Sequence, residues 1–179
     1  MKIIIYGSQY GTTKKYALEL SKKTDIKAVS YRNIEDVNQY DTIIYIGALY
    51  AGGVLGMKKT LGKIKDSSKK KIIIATVGLA DPNNEKNTDT IKEGMKKQLR
   101  PDIFNQADIH FLRCGIDYGN LNIKHKTMMA LLYKKAKRLK DDEKTPEVEA
   151  MIETYGKKVD FIDFSTLTPI INEIQKPPK

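Results

Sequence analysis

Residues 2–13, KIIIYGSQYGTT, pass from a continuous apolar run through a hydroxyl-rich turn into a helical pattern that starts at Lys14. Ile3, Ile4, Ile5 and Tyr6 show no polar alternation, as a central parallel strand buried on both faces requires, and Gly7 ends the run. In the following KKYALELSKK, the spacing of Tyr16, Ala17 and Leu20 gives one apolar helical face. Between strand and helix, Ser8, Gln9, Tyr10, Gly11, Thr12 and Thr13 present backbone N–H groups and hydroxyls at a helix N-terminus. The aligned peptide dipoles there favour an anion. The stretch predicts a phosphate cradle.

Spacing narrows the kind of phosphate. A Walker loop needs Lys directly after its second glycine, and Thr12 follows Gly11, which argues against ATP and GTP. A dinucleotide fingerprint needs three glycines and an acid about 20 residues on. Here Gly7 and Gly11 stand alone and the second strand ends in Tyr31 and Arg32, which argues against NAD. A loop of hydroxyls and amides without an obligatory cation suits one terminal phosphate monoester. Residues 8–13 resemble the flavodoxin phosphate loop, in which hydroxyl residues flank a glycine and hold the phosphate of FMN. Tyr10 departs from that pattern, since many flavodoxins carry a third hydroxyl residue there. Taken alone, the loop also reads as an ordinary strand-to-helix turn with Ser and Thr caps.

The remaining chain predicts a doubly wound α/β fold. Residues 26–31 read as a second strand and 32–39 as a polar turn or short helix. Residues 41–47 (DTIIYIG) repeat the glycine-closed apolar run as strand three, 55–64 follow as a helix, and 71–78 (KIIIATVG) form strand four after a solvated charge run, 63–71. Thr88 or Asp89 caps a helix to Leu99, because Arg100 precedes Pro101. Residues 107–114 form strand five, with Ile109, Phe111 and Cys114 in the core and His110 as a satisfied strand histidine. We expect a flavodoxin-like five-stranded parallel sheet of order 2-1-3-4-5, with its ligand crevice beyond the carboxyl ends of strands one and three.

The flavodoxin resemblance has a second anchor after strand three, in Leu49, Tyr50, Ala51, Gly52 and Gly53. Tyr50 has the flat face to stack on an isoalloxazine ring, and the glycine pair lets the backbone approach it. By the same resemblance the Gly52 carbonyl would accept N5–H of reduced flavin. Val77, Gly78, Leu79 and Asp81 fall where flavodoxins place their second flavin-facing segment, and Tyr118 leaves strand five at the ligand edge.

At 179 residues the chain suits one domain, and the opening apolar run is too short for a signal sequence. A cytoplasmic protein is expected, peripheral at the inner face of the membrane if it meets lipid. Cys114 excludes an internal disulfide and reads as a buried structural thiol. Lys and Arg number 32 against 22 Asp and Glu, a net charge of +10 that points to an anionic partner and to a flavin potential less negative than in acidic flavodoxins. The basic charge is dispersed and lacks interleaved aromatics, which places nucleic acid well behind.

The last third extends a minimal flavodoxin with a helical insertion at about 121–158. Residues 123–140 carry Met128, Met129, Leu131, Leu132, Ala136 and Leu139 among seven basic residues, Lys124, Lys126, Lys134, Lys135, Lys137, Arg138 and Lys140. The stretch reads equally as a membrane-surface or partner-binding helix and as a core-packing helix with a solvated face. Residues 145–155 predict another helix, 159–164 an extended piece, and Thr168-Pro169 the cap of a closing helix through Ile174.

With Ser8, Gly11 and Thr13, the segments GIDYGNL and VDFIDFSTLTPIINEI resemble the flavodoxin-domain family that includes menaquinone-dependent protoporphyrinogen oxidases. Two readings follow from that resemblance. One is an FMN electron carrier serving a redox partner protein. The other is a membrane-associated FMN dehydrogenase or oxidase coupled to quinone. No acid, base or nucleophile constellation and no metal site is evident, and the oligomeric state is open.

Overall fold

The computed structural model describes residues 1–50 and 53–177. In chain order the elements are β1 (Lys2–Gly7), α1 (Thr12–Thr24), β2 (Ala28–Ser30), β3 (Thr42–Tyr50), β4 (Gly53–Val54), α2 (Met57–Leu61), β5 (Lys71–Gly78), α3 (Glu85–Lys96), α4 (Pro101–Gln106), β6 (Asp108–Arg113), β7 (Ile116–Asp117), α5 (Ile123–Arg138), α6 (Pro146–Thr154), β8 (Lys158–Val159) and α7 (Thr168–Gln175). Five parallel strands run β2-β1-β3-β5-β6, the expected order.

The isoleucine runs explain the layering. Successive strand side chains point to opposite faces, so each uninterrupted run feeds two cores. Ile3, Ile5, Ile43, Tyr45, Ile72 and Ile74 pack with Met57, Ile91 and Met95 from α2 and α3. Ile4, Ile44, Ile46, Ile73 and Ala75 pack with Tyr16, Ala17 and Leu20 of α1 and Ile170 and Ile174 of α7. Register aligns Ile4 with Ile44 and Ile44 with Ile73, and at the far end Gly7 with Gly47 and Gly47 with Thr76. The loops leaving β1, β3, β5 and β6 therefore share one edge.

Several elements differ from the sequence reading. Strand three runs on to Tyr50, because Leu49 and Tyr50 pair antiparallel with Val54 and Gly53 in a hairpin. The helix α3 starts at Glu85, since the Asn84 side chain, not Thr88 or Asp89, accepts from Asn87 N–H as its cap. A separate α4 opens on Pro101, whose lack of an N–H costs nothing at a first helical position. Residues 159–164 do not form one extended piece: Val159 pairs in β8 with Ile116, and a 3-10 turn begins at Phe164. Leu167, with no side-chain bond, precedes α7 where Thr168 was expected as the cap. His110 is not satisfied, for its Nε2 is buried without a partner, and burial lowers its pKa despite Asp108 and Glu173 nearby.

The charge run 63–71 is not wholly solvated either. Lys71 is 7 % exposed and its Nζ lies 3.1 Å from Glu173 Oε1. Hydrogen bonds from Lys176 first, then from Lys71, lower the Glu173 carboxyl from 4.5 to about 2. A folded-state pKa below the unfolded one gives stability that is fully present above pH 4.5 and lost as pH falls through about 2. Denaturant unfolding between pH 5 and pH 2 should show this loss, and Glu173→Gln should flatten that part of the profile. An unchanged acid slope in the variant would count against the pairing.

Candidate functional site

The turn after β1 is shaped by two local features. Gly11 precedes α1 with φ 94° and ψ −24°, a left-handed conformation that glycine adopts without a Cβ penalty. Ser8 Oγ accepts from Gly11 N–H at 3.1 Å and closes the turn. Gly11 has no side chain to cap α1, and the first turn of α1 holds no acidic residue. The helix start thus keeps its positive end for an outside acceptor. Thr12 Oγ1 donates to the Gly115 carbonyl at 3.4 Å, and Thr13 is 2 % exposed.

From this turn opens a cavity of about 600 Å³. Tyr10, Thr12 and Thr13 line one end, and Leu49, Tyr50, Gly53 and Val54 of the β3–β4 hairpin line a wall. Val77, Gly78 and Leu79 form another wall, with Cys114, Gly115 and Ile116 beyond β6. The roof is helical: Met128, Met129, Leu132 and Ala136 come from α5, and Glu147, Val148 and Met151 from α6. A volume in the range of about 300–1,000 Å³ and a mostly apolar lining are what small-molecule sites share.

The roof is fastened at three points. His125 of α5 meets the Tyr10 ring edge-on at 4.9 Å between centroids, and its Nε2 lies 3.2 Å from Gln9 Nε2. Tyr50 Oη donates to Met128 Sδ at 3.4 Å. Glu147 accepts from the Leu79 and Ala80 N–H groups at 2.8 and 2.9 Å. Met129 and Ala136 of α5 are buried, Leu132 is partly exposed along the cavity, and Ile123 and Leu131 are exposed outside it. The helix therefore combines a packed face with an exposed apolar pair. Burial raises the Tyr10 hydroxyl pKa, with Tyr50 adding, and pushes the Cys114 thiol up to about 12, with Glu147 adding.

Of the expected site residues, Tyr10, Thr12, Thr13, Leu49, Tyr50, Gly53, Val77, Gly78 and Leu79 line the one cavity. Ser8, Gln9 and Gly11 build the turn at its end. Ala51 and Gly52, with the expected Gly52 carbonyl contact, lie outside the described residues. Asp81 lines a smaller cavity with Pro82, Arg113 and Phe161 instead. Tyr118 lines neither cavity. It packs edge-on to Tyr155 at 5.2 Å, its hydroxyl is buried without a partner, and burial pushes its pKa up to about 12. Glu147 escaped the sequence reading because it stands in an ordinary Thr-Pro-Glu helix start. Nothing local marks its reach to Leu79. Among the described residues no cluster of His, Cys, Asp or Glu could hold a metal ion.

No curated protein matches the chain. Solved structures similar to it include a flavoprotein from Lactobacillus acidophilus in complex with FMN, 13 % identical over 63 % of this chain and 91 % of that one, with a TM-score of 0.41. Another is a flavodoxin variant from Fusobacterium nucleatum bound to flavin mononucleotide, 16 % identical over 68 % and 72 % of the two chains, with a TM-score of 0.43. The family described as Flavodoxin domain matches residues 3–143, through α5 and into the helical insertion. With the match running from β1 across the cradle, the sheet and the first roofing helix, the chain belongs to the flavodoxin domain family.

Proposed function

We propose that the protein binds FMN in this cavity and acts in electron transfer. The observation that carries the reading is continuity: the phosphate cradle at Thr12 and Thr13 opens into the same cavity as Tyr50 and the walls of β3 and β5. The residues present fit such a group, since an added Cβ on Gly11 would meet nothing within 4 Å and the cradle is open. Bound FMN would supply the redox chemistry, and the protein supplies position and electrostatics. The hydroxyls of Ser8 and Thr13 and the backbone N–H groups at the start of α1 would hold the phosphate, the Thr12 hydroxyl being turned to the Gly115 carbonyl. Tyr50 would stack on the ring, and the methionine-rich roof would exclude water from it. A redox partner protein is the expected exchange partner.

One observation favours a second reading, a membrane-associated FMN dehydrogenase or oxidase of the protoporphyrinogen oxidase type coupled to quinone. Exposed Ile123 and Leu131 share α5 with its lysines, as in helices that lie on anionic lipid. Among the described residues no helix is long and apolar enough to cross a membrane, so any contact of these helices with lipid would be at the surface.

The visible spectrum of the purified protein tests the first reading, and absence of flavin bands after incubation with FMN and removal of the free flavin by gel filtration would sink it. Turnover of protoporphyrinogen with menaquinone and sedimentation with anionic vesicles test the second. Each basic residue at such a surface is worth about 1 kcal/mol, so Lys124, Lys134 and Arg138 all changed to Gln should weaken vesicle binding about 100-fold. High salt should do the same. No sedimentation under any condition would remove the membrane reading and leave the carrier.

A further inference from the structure

The peptide that leaves β5 is held from both sides by groups of opposite charge. Glu147, in the first turn of α6, accepts from the N–H groups of Leu79 and Ala80. The Leu79 carbonyl accepts from Arg113 Nε and Nη2 at 3.2 and 3.0 Å, and that guanidinium lies 3.8 Å over the Phe161 ring. A Cβ on Gly78 would come within 2.9 Å of Glu147 Oε2, so the carboxylate lies directly against the strand end.

Two N–H groups need an acceptor, and a neutral amide or a water can supply one. A carboxylate adds a formal charge. Only Lys135 and Glu147 among the residues lining the cavity carry one. Lys135 is exposed at the rim, where solvent screens it, whereas Glu147 is half-buried and acts through a medium of lower dielectric. Burial and then Glu147 raise the Cys114 thiol pKa, and Arg113 acts on it more weakly in the opposite sense.

We propose that Glu147 lowers the reduction potential of the flavin held in this cavity, its fixed negative charge opposing the charge that reduction adds. This rests on the FMN reading above. The oxidised ring is neutral, and uptake of two electrons and one proton leaves it with one negative charge. A carboxylate at the ring cavity therefore weakens the hold on the reduced form relative to the oxidised one. The inference reverses what net charge predicts: a chain of +10 should ease reduction, but its dispersed lysines are screened more than half-buried Glu147.

The test is spectroelectrochemical titration of the FMN-loaded protein, with the affinity for oxidised FMN measured alongside. Glu147→Gln keeps the shape and one acceptor oxygen but removes the charge. It should hold reduced flavin about tenfold more tightly relative to oxidised, an upward shift of about 30 mV for a two-electron couple. Affinity for oxidised FMN should stay within about threefold of the wild type. Glu147→Asp keeps the charge and should restore the wild-type potential, which a purely structural role would not require. Glu147→Ala, which also removes the charge, carries the test if Glu147→Gln does not fold. An unchanged potential in Glu147→Gln, or in Glu147→Ala where that variant stands in, overturns the proposal and leaves the FMN reading standing. Tenfold tighter binding of oxidised FMN by Glu147→Gln at unchanged potential also overturns it, because Glu147 would then be competing with the ring for the two N–H groups. A wild-type protein that binds no FMN removes both.

Discussion

Gly7→Ala is expected to lower the melting temperature by about 6–12 °C, an overpacking cost of about 3 kcal/mol in a chain of this size. Gly7 ends β1 directly beneath the segment that follows the β3–β4 hairpin. An added Cβ would drive into the Leu55 carbonyl oxygen and sit 3.0 Å from its carbon and 3.1 Å from Tyr45 Oη. That carbonyl cannot yield easily. It accepts from Tyr45 Oη at 2.6 Å, and Leu55 N–H donates to the Ala48 carbonyl at 2.9 Å. Tyr45 itself is fully buried in the core. The contact is between backbone atoms, so no rotamer change relieves it. Gly11→Ala is the comparison. It meets left-handed strain without a clash, and should cost about 1 kcal/mol, or about 2–4 °C. Calorimetry of both variants checks the ranking, and a Gly7→Ala protein as stable as the wild type would show that Leu55 does not press on β1.

FMN should bind at least about 100-fold more tightly than riboflavin, because the two differ only in the phosphate and each hydrogen bond to a charged group contributes about 1.5–3 kcal/mol. Two such bonds from the turn at Gly11 to Thr13 suffice for that ratio. Thr13→Ala should lose about 10–100-fold in FMN affinity, the value of one such bond, while leaving riboflavin affinity unchanged. The riboflavin arm matters because Thr13 is buried, and a general loosening of α1 would weaken both flavins alike. Fluorescence titration of the apoprotein with FMN, FAD and riboflavin provides the measurement. Riboflavin binding as tightly as FMN would sink the cradle assignment.

The strands were legible because their signals are local. An unbroken Ile3-Ile4-Ile5 run has to feed two cores, and in the structure Ile4 faces α1 and α7 while Ile3 and Ile5 face α2 and α3. The turn at Ser8 to Thr13 was legible for the same reason, since a left-handed glycine and a helix start are properties of adjacent residues. Helix caps were less secure. Asn84, Thr88 and Asp89 can all cap, and which one does depends on where the chain leaves β5.

The sequence by itself determined the parallel sheet, its order through the family resemblance, and the hydroxyl turn, because apolar runs, glycines and caps act over a few residues. Only the tertiary structure decided which of those residues share a cavity and what covers it. Leu79 and Glu147 are 68 residues apart, Gln9 and His125 116, and Tyr50 and Met128 78. No local periodicity encodes such pairs. The same holds for Lys71, which ends a run of surface lysines yet is buried against Glu173 from the last helix. It holds also for α5, whose sequence permits either a packed or an exposed apolar face and which the fold gives one of each. A side chain's partner is chosen by chain reversal and packing, and those are set only when the whole sheet has closed.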